Sequence, residues 1–368
     1  MLPVCYYFCH YCNLLKNETK FTVTFGIIIL ISGDGKMKLF DKVEPVFYID
    51  KEVDNLIQSI NQKLNYIKIS DRQKRKYMIN KSKVRSVHSS LSIEANSLSL
   101  LDVENILEHK QVLGKKDEVQ EVKNAIEVYN QINDFDYKSE DDFLRVHQIM
   151  MKYFDDDNGE YRNHGEGIKK ESKIIYMAPD SILVPGLMKS LFEYINNNEL
   201  NMLVLSAIFH YYFVAIHPFT DGNGRVARFW VTLMLIHYNK NFEFIPIEEE
   251  IYLNREEYYS SIEKCHNNSN ANIFIKFMLK MITSSLDKVI KNSKFILNDT
   301  QNTIIELIMN NRSITQSEIS LLLGVNIRTV KRNFKVLLEN NIIERVGSDK
   351  KGYWIVAEEK NEYMELIK

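Results

Sequence analysis

The chain has 368 residues, 45% of them hydrophobic and 26% charged, with a formal net charge of -2. That length and balance describe an ordinary folded chain with room for two domains. A balance so close to neutral exerts no global pull toward nucleic acid or membrane, so any such partner has to be met by a local patch.

Residues 1 to 36 differ in character from the rest of the chain. They hold three of the four cysteines, as Cys5-x3-Cys9-x2-Cys12, and then the apolar run Phe21 to Ile31. The cysteine spacing is similar to the cluster loop of radical S-adenosylmethionine enzymes, yet no alternating strand-helix barrel comes after it to carry a cofactor. A zinc site with His10 as fourth ligand is a second reading. A signal peptide is a third: Lys16 and Lys20 precede an apolar core of suitable length, but the small-residue cleavage site is missing. The preferred expectation is a translation start at Met37, where Met-Lys-Leu-Phe-Asp opens a normal pattern after Ser32-Gly-Asp-Gly35, whose codons would be purine-rich. Only Cys265 then remains, which suits a reducing, cytoplasmic location.

From Val53 to Val87, Leu56, Ile60, Leu64 and Ile67 recur at helical spacing, and a second periodic segment comes after the basic run Arg72 to Lys76, so two helices are expected. The basic run reads as a solvated face. Ser90 and Glu94, within Ser89-Ser-Leu-Ser-Ile-Glu-Ala-Asn96, stand one helical turn apart and share a face. Residues at this spacing are common on surfaces, and alone the pair means little. Asn105 to Phe135 and Asp141 to Phe154 are expected as further amphipathic helices. The acidic cluster Asp155 to Gly159 reads as a turn before Tyr161-Arg162, because Phe154 occupies the first ligand position a calcium loop would need. Lys173 to Met177 is a short β-branched and aromatic run, expected as a strand. Val184 opens another helix.

Leu203 to Ile216 is an apolar run long enough for a buried helix and too short to span a bilayer. It leads into His217-Pro-Phe-Thr-Asp-Gly-Asn-Gly-Arg-Val-Ala-Arg228, where Pro218 breaks the helical pattern, Gly222-Asn-Gly224 frees a tight turn and Arg225 resumes an apolar 3.6 period. Helix, loop, helix is the expectation. A glycine-framed turn feeding a helix N-terminus aims backbone N-H groups and the helix dipole at one point, and so suits phosphate. Asp221 tolerates a neighbouring phosphate when a divalent cation lies between them, so a magnesium nucleotide fits. No Lys-Ser/Thr comes after the glycines and no third glycine completes a dinucleotide fingerprint.

These twelve residues resemble the signature of the Fic family, His-Pro-Phe-x-Asp/Glu-Gly-Asn-Gly-Arg-x-x-Arg, with every defining position filled. The resemblance implies a mostly helical enzyme that transfers AMP from ATP to a Ser, Thr or Tyr hydroxyl of a target protein. It implies His217 as the general base, Asp221 as the ligand of Mg²⁺, and Asn223 with the backbone at Gly222 and Gly224 as the phosphate cradle. Arg225 and Arg228 would neutralise the outer phosphates, and Phe219 would anchor the loop. Ser90 and Glu94 then resemble the family's inhibitory helix, whose Glu pairs with the second motif arginine, here Arg228. An arginine so held cannot also clamp a phosphate. Ala95 stands where Gly or Asn is usual, and since alanine favours continued helix, the helix is expected to run on past Glu94. Lys173 to Met177 resembles the family's flap, a hairpin whose free edge pairs with the target segment.

After the signature, Arg255 to Ile262 matches the family's next helix, and the resemblance places the adenine pocket around His266 and Asn267, before an Asn-rich loop ending at Asn272. His210 and His237 read as packing or surface histidines. The resemblance covers Met37 to Leu297. Beyond Lys291 to Asp299, three helices are expected at Thr303 to Met309, Ile314 to Leu323 and Arg328 to Leu338, with a β-hairpin wing over Glu344 to Val356. This segment resembles a winged helix-turn-helix domain. Arg328, Lys331, Arg332 and Lys335 crowd its third helix, and Lys350 and Lys351 its wing, where phosphate contacts would fall. From Thr300 to Val356 eight Lys/Arg face five Asp/Glu, a small excess that leaves DNA and a protein partner both open.

The expectation is therefore a mainly α fold, a Fic-type helical bundle with a small β-hairpin flap over residues 37–297, and a winged helix-turn-helix domain over 298–368. The expected function is a self-inhibited, ATP- and Mg²⁺-dependent protein adenylyltransferase. A nucleotide-sensing transcriptional regulator and a hydrolase that removes AMP are the alternatives. Besides ATP and the hydroxyl-bearing target, DNA, a protein or a second copy of the chain are the partners left open.

Overall fold

The computed structural model describes residues 20–24, 27–31, 37–67, 72–154, 158–170, 173–293, 299–339, 342–347 and 352–356. They fall into two compact units that divide between Val289 and Ile290. The first unit opens with β1 (Lys20–Thr24), β2 (Ile27–Ile31) and β3 (Met37–Val43), paired antiparallel in that order. The apolar run Phe21 to Ile31 thus supplies two strands, while the cysteine segment lies outside the described residues.

The helices α1 (Lys51–Tyr66) and α2 (Arg72–Ile93) come next, as the periodicity predicts. The stretch expected as one helix from Asn105 is divided: α3 (Leu100–Leu107) starts at a Ser99/Asp102 capping box, a connection through Gly114 intervenes, and α4 (Lys116–Asn130) resumes. Capping boxes satisfy two of the N-H groups a helix start leaves open, which moves this boundary upstream of the apolar run that marked it. Then come α5 (Glu140–Met150) and the strands β4 (Gly167–Lys170) and β5 (Lys173–Met177), which form an antiparallel hairpin. The hairpin stands where the flap is expected, and among the described residues its strands pair only with each other.

Four of the remaining helices build the centre: α6 (Val184–Asn197), α7 (Met202–Ile216), α8 (Asn223–Tyr238) and α9 (Ile247–Leu253). Every residue from Leu203 to Ile216 is buried, as is every residue from Arg225 to Ile236. Two helices buried on all sides can only sit inside a bundle, and the two arginines α8 carries there need partners. An aromatic cluster fills the space between them and α5: Phe143 meets Phe213, Phe192, Phe209 and Trp230 edge-on and stacks on Phe219 at 5.6 Å. The unit closes with α10 (Arg255–Asn268) and α11 (Asn272–Ser293), the latter crossing the Val289/Ile290 division. No described helix is long and apolar enough to cross a membrane.

The second unit contains α12 (Asp299–Asn310), α13 (Gln316–Leu323) and α14 (Ile327–Glu339), and then the antiparallel pair β6 (Ile343–Val346) and β7 (Tyr353–Val356). Its core comprises Ile304, Ile308, Ile314, Ile319, Val330, Phe334, Leu337, Ile343, Trp354 and Val356. Trp354 ties strand to helix turn by donating from Nε1 to the Ile314 carbonyl at 3.2 Å. Lys350 and Lys351 lie outside the described residues.

Candidate active site

The loop between α7 and α8 begins with a strained residue. His217 ends α7 in the left-handed region, φ 52° and ψ 58°, while its N-H still donates to the Phe213 carbonyl at 2.9 Å. For a residue with a side chain this conformation costs roughly 1–2 kcal/mol. Arg162 holds it there. This buried guanidinium donates from Nε to the His217 carbonyl at 2.7 Å, from Nη1 to the His164 carbonyl at 2.6 Å and from Nη2 to the Pro179 carbonyl at 2.6 Å. The Arg162 N-H also donates to the Pro218 carbonyl at 2.9 Å. Burial lowers the pKa of His217 and the Arg162 charge adds to that, outweighing the opposing Val214 carbonyl and the Glu166 and Asp221 charges. The imidazole is therefore neutral near pH 7, as a proton acceptor has to be.

The rest of the loop is closed from inside. Phe219 is fully buried, and its backbone N-H and carbonyl both bond the Asn223 side chain, at 3.0 and 2.7 Å. The amide of Asn223, expected in a phosphate cradle, is thus spent on shaping the loop. Gly222 caps α8 at φ 80°, and a Cβ there would collide with Met151 Sδ, so two separate reasons call for glycine. Among the predicted cradle residues, the backbone at the start of α8 keeps the helix N-terminal geometry that suits an anion. His147, on the buried face of α5, stacks on Phe219 at 3.6 Å and 7° between planes. Its Nδ1 accepts from the Gly159 N-H at 2.9 Å and its Nε2 faces the Asp221 carbonyl at 3.1 Å.

The two motif arginines make three carboxylate pairings, Arg225 with Asp221 and Glu121, and Arg228 with Glu94. Asp221 Oδ1 accepts from the Gly222 N-H at 2.6 Å and Oδ2 lies 2.7 Å from Arg225 Nη2. Partial burial pushes the Asp221 pKa up, but Arg225 and that N-H outweigh it, and the net effect is a carboxyl below its usual range. Arg225 in turn pairs with Glu121 of α4 at 2.9 Å, and Glu121 Oε2 accepts from the Asn96 side chain at 2.8 Å. Arg228 is 1% exposed. Its Nη2 lies 2.7 Å from Glu94 Oε1 and 2.9 Å from the Ser90 carbonyl, and its Nε donates to Ser90 Oγ at 3.0 Å. Burial opposes the charge of Arg228, yet Glu94 raises its pKa above the ordinary arginine value. The Glu94 carboxylate passes so close over Gly224 that a Cβ at 224 would overlap Oε1.

Ala95 corrects an expectation. The helix does not run on: α2 ends at Ile93, and Ala95 takes φ 69°. The Asn96 N-H bonds the Leu91 carbonyl and the Ala95 N-H the Ser92 carbonyl, the paired bonds of a Schellman stop. Helix propensity lost to those two bonds and to the anchoring of Asn96 on α4.

His266 is turned inward, its Nδ1 3.1 Å from Tyr211 Oη, and burial lowers its pKa to about 4. Asn267 beside it is exposed. Tyr259 is half exposed, and burial together with the Glu94 charge raises its pKa. His210 is a core histidine, bonded through Nε2 to Tyr258 Oη at 2.8 Å, and His237 is exposed against Tyr137.

Residues 137–235 match the Fic/DOC family model, and residues 297–344 match a winged helix-turn-helix DNA-binding model. The chain belongs to the Fic/DOC family. A Fic family protein from Desulfovibrio desulfuricans has a crystal structure that superposes with a TM-score of 0.66 at 28% identity, covering 85% of this chain and 98% of that one. A Fic domain containing signaling protein from Bacteroides thetaiotaomicron, at 20% identity and a TM-score of 0.55, shares the fold over 68% of this chain and all of that one. In sequence the chain is 25% identical over 254 residues to the protein adenylyltransferase Fic-1 of Caenorhabditis elegans, covering 66% of this chain and 47% of the relative. It is 27% identical over 180 residues to a probable protein adenylyltransferase of Aquifex aeolicus, covering 48% and 52%. The chain thus spans about half the length of these curated relatives.

Proposed function

We propose that this Fic protein transfers AMP from ATP to a Ser, Thr or Tyr hydroxyl of a target protein and of itself, and that Glu94 restrains the reaction. The observation that carries the reading is the single loop in which a neutral His217, the Asp221 carboxylate and the α8 N-terminus succeed one another within a few residues. In the step itself the acceptor hydroxyl attacks the α-phosphorus of ATP and gives its proton to His217. The bond from the α-phosphorus to the bridging oxygen breaks, and pyrophosphate leaves. Arg228, once free of Glu94, neutralises the terminal phosphate, and a strand of the target extends the β4-β5 hairpin so that its hydroxyl reaches His217.

Among the described residues no group of three or more His, Cys, Asp or Glu side chains could hold a metal by itself. A lone carboxylate, 66% exposed at the loop, fits Mg²⁺ that arrives with the nucleotide, since this ion commonly takes one or two carboxylates plus phosphates. When bound it supplies charge neutralisation on the α and β phosphates. The test is mass spectrometry of cell proteins after incubation with labelled ATP. His217→Ala should abolish AMP incorporation while magnesium-ATP binding survives, and Asp221→Ala should weaken the metal-dependent part of that binding. Near wild-type transfer by His217→Ala would overturn the assignment.

A DNA role for the second unit rests on a separate observation: Arg328, Lys331, Arg332 and Lys335 are all exposed on α14. We propose phosphate contact through this helix. Filter binding to the promoter of its own operon should be salt-sensitive and lost in Lys331→Glu/Arg332→Glu. Salt-independent retention, or none by the unaltered protein, would leave a protein partner for this unit.

A further inference from the structure

We infer that His147 is a positioning residue for the phosphate and metal loop: it sets the Asp221-Gly222 peptide through its Nε2 hydrogen bond, beyond filling space with its ring. The inference rests on the adenylyl-transfer reading for its kinetic consequence, though not for its structural one.

The geometry fixes the state of the ring. A backbone N-H can only donate, so the bond from Gly159 at 2.9 Å makes Nδ1 an acceptor. Nε2 then carries the hydrogen of the neutral imidazole and donates to the Asp221 carbonyl at 3.1 Å. One ring thus links the Gly159 backbone to the carbonyl of the residue whose side chain would meet the metal. Stacking on Phe219 at 3.6 Å and 7° between planes sets the orientation of the ring. His147 is 1% exposed, so water does not replace either bond. Arg162 holds the loop at its beginning, through the His217 and Pro218 carbonyls. His147 holds it at the far end, next to Gly222. Between the two ties, Asn223 closes the ring from within.

The consequence is directional. Rotating the Asp221-Gly222 peptide would turn the Gly222 N-H away from Asp221 Oδ1, now 2.6 Å apart, and with it the carboxylate. The imidazole acts on the metal ligand from one shell out, the place where partner loss commonly costs about 10–100-fold in metal affinity. It touches neither acceptor nor phosphate.

Two amides separate this role from packing, because both remove the aromatic ring. In His147→Gln the side-chain amide reaches the Nε2 position and still donates to the Asp221 carbonyl. In His147→Asn the amide is too short and keeps only an acceptor for Gly159. Each is made in the Glu94→Gly background. Hydrogen-exchange mass spectrometry of the nucleotide-free proteins should show loop amides 219–224 protected in the Gln variant and deprotected in the Asn variant. In kinetics, the Mg²⁺ concentration for half-maximal AMP incorporation should rise about tenfold for Asn, with a smaller change in kcat, and stay within about threefold for Gln. Equal impairment of both variants in exchange, with melting temperatures lowered alike, would show the ring only packs and overturn the inference. So would full protection in His147→Asn. Should the parent incorporate no AMP at all, the transfer reading fails, while the exchange comparison still decides His147.

Discussion

Glu94 Oε1 lies 2.7 Å from Arg228 Nη2, and the two residues stand 134 positions apart, one just past the end of α2 and the other on α8. Arg228 is almost wholly buried, whereas the Glu94 side chain keeps 34% of its surface exposed. The arginine is a fixture and the glutamate is the part free to leave. Glu94→Gly should therefore raise self-modification and target modification well above the unaltered protein. Adding Arg228→Ala should abolish the gain, because two side chains acting through one pair give non-additive effects. An unchanged rate of AMP incorporation in folded Glu94→Gly would end the inhibitory reading.

Ala95 makes a second prediction with a definite sign. At φ 69° its methyl group is in the left-handed region that glycine enters freely. Ala95→Gly should raise stability by about 1 kcal/mol and lower basal AMP incorporation, since the stop that presents Glu94 becomes unstrained. Thermal unfolding and label incorporation measure the two effects on one sample. A destabilised variant would mean that the strain is not stored at this residue.

Arg162→Lys tests the other strained position. A single ammonium cannot reproduce bonds to the carbonyls of His164, Pro179 and His217, and buried carbonyls left unpaired make the loss about 3 kcal/mol. With His217 no longer pinned, AMP transfer should fall about a hundredfold. Retained transfer at a lowered melting temperature would assign Arg162 to folding alone.

His210 gives a pH dependence. It is fully buried, and burial lowers its pKa from 6.5 to about 3. Above pH 6.5 it is neutral in both folded and unfolded chains and contributes no slope. As pH falls below 6.5 the unfolded chain binds a proton that the folded chain refuses, so stability drops by up to about 1.4 kcal/mol per unit until the folded value is reached. His210→Phe should flatten the acid limb of the stability profile by one proton's worth between pH 4 and 6. An unchanged slope there would show that His210 is not held neutral in the fold.

The parts of this molecule legible in the sequence are those with a period or a signature. The buried α7 announces itself by its apolar run, α8 by its apolar 3.6 period, and the His217 to Arg228 loop by its glycines and charges. What escaped was set by contacts between distant segments. Arg162 carries no local mark, since its partners are backbone carbonyls 2 to 55 residues away. Nothing local marks Glu121 or Asn96 until α4 brings Glu121 to both the Asn96 side chain and Arg225. His147 left one faint signal, its place on the apolar face of α5 with Phe143, Val146 and Met150. Ala95 misled because propensity speaks for the helix, while the bonds that stop it depend on where Asn96 is anchored.

The two bonds from Arg228 to Ser90 also bear on time. Neither of them involves Glu94, because Ser90 sits a turn earlier and meets the guanidinium through its own carbonyl and hydroxyl. Opening therefore requires a glutamate to change rotamer, with α2 staying in place. Rotamer exchange at a partly exposed residue takes picoseconds to nanoseconds, against microseconds to milliseconds for moving a helix. Turnover at ordinary enzyme rates averages over countless such excursions, so the resting rate should scale with the fraction of time Glu94 spends away. No slow activation phase should precede it when ATP is added.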